Sequence, residues 1–459
     1  MRAFGSTDFF ILYRSLGVAA AVAAGAALLN PSPLCAEQGA AAPAVGAARP
    51  GPAAQGGEGA APDGGGHAQH RMTRVSNGVT SLDIVADGDR LQLLTGRAHD
   101  GRASLWHQAS TDSGKTWSKE VEIPGPPGSA PSVQRGSDAR IAAWGKTLVA
   151  VWTSRNETNR HGAGPMASAR SIDGGKTWTP AQGPADWGAG PHAFLTLASD
   201  GKSWHAAWLD SRDGPVPVKG AQGLRYAYST DGGVTWAKNV TLDNVTCACC
   251  WSLGRVDDRG DFFVLYRDKQ PSDMSIGVVD SATRQWTRLA TVGAFNWDFP
   301  GCPHIGGGLA IHARGKERAM HAIVGTRKRE SAGLYYLKSN DGGRNWTAPA
   351  RLGDASATHG DVAVTRGGRL AAVFDMVDPE INDGTQAVYA VFSRDGGVLW
   401  SEPKRLSSLG KSASHPRVVA TRNGFFASWT EAGGANETVL GMKMLDSVRV
   451  GLSARKDMR

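Results

Sequence analysis

Five copies of the pattern Ser-x-Asp-x-Gly-x-x-Trp, a near-constant interval between them, and a scarcity of helix-period stretches predict an all-β fold, a β-propeller of four-stranded antiparallel blades. The copies occupy residues 110–117, 171–178, 229–236, 339–346 and 393–400. In each, the Asp can accept hydrogen bonds from the backbone of its own turn, the Gly permits positive φ, and the Trp packs the turn against its neighbours. Composition agrees: 60 Gly and 15 Trp suit short strands joined by tight turns.

The Asp residues of the copies (112, 173, 231, 341, 395) are 61, 58, 110 and 54 apart, so the third gap holds two periods. A decayed copy is expected near residue 285, and Asp-Ser-Ala-Thr-Arg-Gln-Trp at 280–286 fits it. Two alternating strands precede each copy and one follows, as at Ile141 to Trp152. With the innermost strands opening at Ser81, Ser129, Gly190, Cys247, Gly301, Thr358 and Ser414, seven modules fill the domain, six blades being the alternative. The ring is expected to close through Thr73 to Ser76 pairing with the final module.

The flanking segments cannot be propeller. Residues 1–36 carry Arg2, Arg14, an apolar run from Leu16 to Leu29 and a Pro-Ser-Pro break, the layout of a secretory signal peptide. The run of about 14 apolar residues is short for a membrane span, which needs roughly 20. Cleavage near Ala36 would remove Cys35 and leave no stable span, an uncleaved anchor being the alternative. Residues 37–71 are mostly Ala, Gly and Pro and read as a disordered tether. The propeller is placed at 72–452 and a C-terminal tail at 453–459. A periplasmic or secreted protein follows. The formal charge of +8 is spread along the chain, which argues against nucleic-acid binding.

The repeated turns resemble the Asp boxes of the sialidase superfamily, over the whole of 72–452. The chain is also similar to a bacterial subgroup of sialidase-like proteins marked by Cys-x-Cys-Cys (247–250), Tyr-Arg-Asp (266–268) and Gly-Cys-Pro (301–303). The resemblance implies a propeller, and for the superfamily an exo-sialidase activity built on three arginines, an Asp acid/base and a Tyr nucleophile. The family's Arg-Ile-Pro motif is missing, since the corresponding stretch reads Met72-Thr-Arg74-Val-Ser. The fold therefore carries over without a catalytic set. Tyr266, Arg267, Asp268 and Arg327 are the residues that a glycosidase mechanism could recruit.

In an up-and-down blade the boxes lie on the lower face, opposite the strand-1 starts, so chemistry is expected on the upper face. There the sequence places Cys or His in five successive modules: His192; Cys247, Cys249 and Cys250; Cys302 and His304; His359; and His415. Converging on one cavity, they could hold copper or zinc. In an exported chain a bridge from Cys302 to Cys247, Cys249 or Cys250 is the competing expectation. A second ring at the strand-2 ends (Arg97, Arg155, Asp210 with Arg212, Arg267, Arg327, Asp375, Glu431) could clamp a small anionic ligand. Three functions follow: a metal-binding or metal-handling periplasmic protein, a glycoside hydrolase on anionic sugars, or an interaction scaffold for a periplasmic partner.

Overall fold

The structure, a computed structural model, describes residues 77–158, 163–188, 190–214, 218–301, 303–314, 317–381, 383–422, 424–434 and 436–445. The expected signal peptide, tether, 73–76 closing strand, C-terminal tail and Cys302 lie outside the described residues.

Among the described residues, every regular element apart from one 3₁₀ turn at Arg329–Ser331 is a strand. Five sheets have four strands in sequence order, and a sixth has seven. The seven-stranded sheet resolves into two modules, four strands from 77–122 and three from 413–445, joined by a two-residue parallel pairing of Asn77 and Gly78 with Glu437 and Thr438. Gly78 is required at this seam. Its φ is +98°, and a Cβ there would lie 2.1 Å from the Thr438 carbonyl oxygen. The blades are thus seven: 1 (77–122), 2 (140–181), 3 (193–247), 4 (253–292), 5 (307–352), 6 (360–405) and 7 (413–445). Their inner strands touch in a closed order, Asn77–Asp87, Arg140–Trp144, Ala193–Ser199, Leu253–Val256, Gly307–Arg314, Gly360–Val364, Ala413–Ala420, and back to the first.

Inner strands of neighbouring blades share no ladder, so side chains satisfy their outward backbone donors. Asp83 accepts from Ile141 N (3.0 Å), Thr196 from Gly254 N (2.6 Å) and Asp361 from Val418 N (3.1 Å). Between blades the core is aliphatic and aromatic, with Trp152 and Trp208 almost fully buried.

The boxes form as expected. In the third, Ser229 Oγ lies 2.7 Å from Asp231 Oδ1 and accepts from Gly233 N at 2.9 Å, while Asp231 Oδ1 accepts from the amides of Val234 and Thr235, both at 3.0 Å. The decayed copy keeps this logic, Asp280 Oδ1 accepting from Ala282 N and Thr283 N. Box tryptophans lean on the preceding blade: Trp178 on His107 (5.3 Å between centroids), Trp400 on Tyr336 (4.9 Å), and Trp117 of blade 1 on Phe426 of blade 7 (5.6 Å), which joins the ends of the ring a second time. Ser113 N donates to Asp89 O and Gly174 N to Lys146 O, so each box sits beside the turn between strands 1 and 2, on the lower face.

Candidate functional site at the two ends of the axis

The axis is lined by one residue per blade at matching depth: Asp83, Arg140, Thr196, Arg255, Gly308, Asp361 and Arg417. Most of these border a cavity of about 890 Å³ that reaches the strand 1–2 turns of the lower face. Asp83 Oδ1 holds Arg140 Nη1 at 3.3 Å and Arg417 Nη2 at 3.1 Å, and Arg417 Nε lies 3.7 Å from Asp361 Oδ2. Arg255 differs. Its flanks are Thr196 and Gly308, its Nη1 donates to the Gly254 carbonyl (3.0 Å), and no carboxylate among the described residues pairs with it.

The upper end is closed by an aromatic side chain. Trp251, following the cysteine turn of the blade 3–4 connection, extends across the axis. Its ring lies 5.5 Å from His359 and 5.7 Å from His415, Gly136 borders it, and a Cβ on Gly306 would fall 2.2 Å from the indole. It thereby meets residues of, or just ahead of, blades 2, 5, 6 and 7. A cavity of about 20 Å³, room for one water, is left among Arg135, Trp251, His359, His415 and Arg417. Arg135 spans this level, donating to Asp138 Oδ1 (2.6 Å), to Leu82 O (3.0 Å) and to His415 O.

Asp375 organises the histidines. It is fully buried, and its Oδ1 accepts from Thr358 Oγ1 (2.5 Å) and His359 N (3.1 Å), its Oδ2 from His359 Nδ1 (2.7 Å) and His415 N (2.8 Å). Burial pushes the Asp375 carboxyl up, but His359, His415 and Thr358 together hold it well below the usual carboxylate range. Receiving Nδ1–H of His359, it leaves Nε2 as that ring's free basic nitrogen. The His415 imidazole stacks on His359 at 3.7 Å and 15°, from a left-handed backbone (φ 51°) inside a register shift of its strand. Arg327, at the end of the second strand of blade 5, is exposed, has no ion pair among the described residues, and lies within electrostatic reach of Asp375.

The cysteines form a separate group. Cys247 Sγ is 3.6 Å from Cys249 Sγ and 3.2 Å from Cys250 Sγ, and all three are buried. The thiols of Cys249 and Cys250 directed at Cys247 hold it well below the ordinary thiol value, and burial pushes Cys250 up. None of the three sulfurs is bonded to another. Here the structure corrects the strand assignment. Cys247 does not open an inner strand; it ends the outer strand of blade 3, Val240–Cys247, and blade 4 begins at Leu253. The three sulfurs converge through a turn rather than by strand alternation.

Of the remaining sequence candidates, His192 is buried against Trp187 and Trp208, 3.8 Å from Asp210, and burial lowers its pKa to about 4. His304 takes a left-handed backbone (φ 53°) ahead of blade 5. Tyr266 is buried, donates to Asp243 (3.0 Å), and is raised by burial and by that carboxylate. Arg267 donates to three carbonyls, Ile305 (2.8 Å), Ser272 (2.6 Å) and Gly325 (2.8 Å), and stacks on Trp297. Asp268, raised by burial, pairs with Arg288 at 3.1 Å. In the second ring Arg97 pairs with Glu120, Arg155 with Glu157, and Arg212 with Asp186 and Asp210. The guanidiniums that do converge are on the inner strands. They were legible, since Asp83, Arg140, Thr196, Arg255, Asp361 and Arg417 recur at intervals of 57, 56, 59, 106 and 56, each followed by Ile or Val except Thr196, which is followed by Leu.

The family model for the BNR/Asp-box repeat matches residues 227–238, which is the third box. The chain is a β-propeller that carries a BNR/Asp-box repeat. This Asp-box propeller resembles a polysaccharide lyase of family PL25, an ulvan lyase bound to -[GlcA(1-4)Rha3S]-, at a TM-score of 0.53 and 10% identity, over 81% of this chain and 94% of that one. It is also similar to the Hadza microbial sialidase Hz136 (TM-score 0.45, 14% identity, 75% and 74% covered) and to the K499G mutant of the NanB sialidase from Streptococcus pneumoniae (0.41, 11%, 80% and 67%). No curated protein sequence matches the chain. Among the described residues no helix is long and apolar enough to cross a membrane.

Proposed function

We propose that this sialidase-like propeller is an exported carbohydrate-active protein that performs acid–base chemistry on an anionic saccharide at the upper axial mouth. The observation that carries the reading is the His359–Asp375 pair. A carboxylate with all its acceptor positions filled fixes one imidazole tautomer and leaves Nε2 able to take and return a proton. Arg327, exposed and without an ion pair among the described residues, supplies a guanidinium that can take the saccharide carboxylate in a bidentate arrangement. A two-carboxylate hydrolysis is less well served, because Asp83, Asp361 and Asp375 are each committed to backbone amides or to basic side chains. The extra-cytoplasmic setting rests on the apolar run and Pro break of residues 1–36.

The purified protein is to be incubated with sialosides and with uronic-acid oligosaccharides, following reducing ends for hydrolysis and ultraviolet absorbance of unsaturated uronides for elimination. Turnover of one class, lost in His359→Gln and weakened mainly in KM by Arg327→Ala, is the expected result. No turnover of either class, or unchanged turnover in His359→Gln, overturns the reading.

A further inference from the structure

The sulfur cluster has no part in the chemistry proposed for the histidine mouth, and its geometry points to a metal site. We propose that Cys247, Cys249 and Cys250 bind one thiophilic d¹⁰ cation, Cu(I) or Zn(II), through their three sulfurs.

The cluster is built from one short stretch held at both ends. Cys247 closes the outer strand of blade 3 by pairing with Ala221, Thr246 bridges to Asp268 of blade 4, and Ala248 N donates to Gly220 O at 3.0 Å. Between these fixed points the chain turns tightly, so residues i, i+2 and i+3 bring their sulfurs to one point. All candidate ligand atoms lie within 4.8 Å of one another. Three thiolates around one ion with metal–sulfur bonds of about 2.3 Å stand roughly 3.7–4.0 Å apart, so separations of 3.6 and 3.2 Å need only a small outward adjustment to admit the ion.

The surroundings favour a soft ion over a hard one. Phe194, Leu209, Leu224, Phe262 and Tyr266 belong to the same buried cluster, and among the described residues the three sulfurs form a candidate ligand group of their own. Mg²⁺ and Ca²⁺ require oxygen ligands, whereas thiolates select Cu(I) and Zn(II). The histidine group is a poorer host. Its carboxylate already accepts four hydrogen bonds, and its two imidazoles stack face to face rather than aiming at one point. In an oxidising compartment, three thiols in mutual contact would otherwise combine, the 3.2 Å pair of Cys247 and Cys250 first, and a bound ion prevents that.

The test uses the full chain, exported and purified without chelator, and the same protein reduced and titrated anaerobically with Cu(I) or with Zn(II) alone. One equivalent of either ion per chain, with thiolate-to-metal ultraviolet absorption for Cu(I), supports the site, and competition between the two names the ion. Cys247→Ser and Cys250→Ser are expected to lose binding at least tenfold, with circular dichroism showing that each remains folded. Should either unfold, thiol alkylation of the wild type replaces it: metal must protect these cysteines from modification. His359→Gln, which addresses the saccharide reading, must bind metal as the wild type does. Failure of the reduced, folded protein to bind either ion overturns the proposal. So does loss of metal in His359→Gln with retention in the cysteine variants, or a Cys247–Cys250 disulfide in the exported protein.

Discussion

At the upper end of the axis the central carboxylate is fully matched and Arg327 is a cation without an ion pair among the described residues, while at the lower end the charged groups are many and uneven. Asp375 has each lone pair occupied, and Trp251 fills the space around the two histidines. Below, Asp83, Arg140, Arg255 and Arg417 border a cavity of about 890 Å³ whose mouth adds further arginines and aspartates from the turns, and Arg255 pairs with no carboxylate among the described residues. A tight, pre-organised end suits proton transfer, which depends on geometry. A wide, basic end suits attraction of anions, which depends on field rather than on fit. The same repeat builds both ends, the lower from inner-strand residues and their turns, the upper from the connections that lead into the inner strands and from Asp375 on a second strand.

The comparison breaks first if the ends exchange roles. His359→Gln is expected to lower turnover of the anionic saccharide by about 10²–10⁴-fold, whereas Arg255→Met leaves it within about twofold; a large loss in Arg255→Met would move the chemistry to the lower cavity. Stability gives the next largest contrast. Asp83→Ala removes the carboxylate that Arg140 and Arg417 share and leaves Ile141 N unsatisfied, and is expected to cost about 3–5 kcal/mol in denaturant unfolding. Removing the charge of Arg255, which pairs with no carboxylate among the described residues, is expected to be neutral or slightly stabilising in the same measurement.

Acid response supplies a smaller effect. Burial lowers His107, His192 and His205 to about 4 and His321 to about 3, below the unfolded value of about 6.5. Their folded pKa values being depressed, the neutral forms contribute stability that is complete above pH 6.5 and is lost as pH falls toward 4 and 3. Urea midpoints measured from pH 7 to 4 should decline over this window. Asp375, also depressed, should add its loss only below about pH 4. His192→Phe, which replaces a ring near Trp187 and Trp208, should flatten part of the upper window.

The fold could be read because an Asp box is self-contained: Ser, Asp and Gly satisfy one another within a few residues, so the motif survives without its context. The decayed copy at Asp280 and the count of seven modules were legible for the same reason. His359 and His415 could be placed at one mouth because both stand at the start of an inner strand. Their partner could not be joined to them. Asp375 reaches His359 through the antiparallel register of Gly360 with Phe374, a relation between strands that composition does not carry. Cys247 was assigned to the wrong strand because an outer strand and the following crossover are both extended. Trp251 was hidden among 15 tryptophans, most of which are box or core residues.

The closure of the upper axis by Trp251 has a kinetic consequence. A tunnel sealed by an indole between blades 2, 5, 6 and 7 is a dead end, so whatever enters from the Asp-box side must back out along the same path. A polymer cannot thread the ring, and a solute lodged beside Arg255 excludes its successor until it departs.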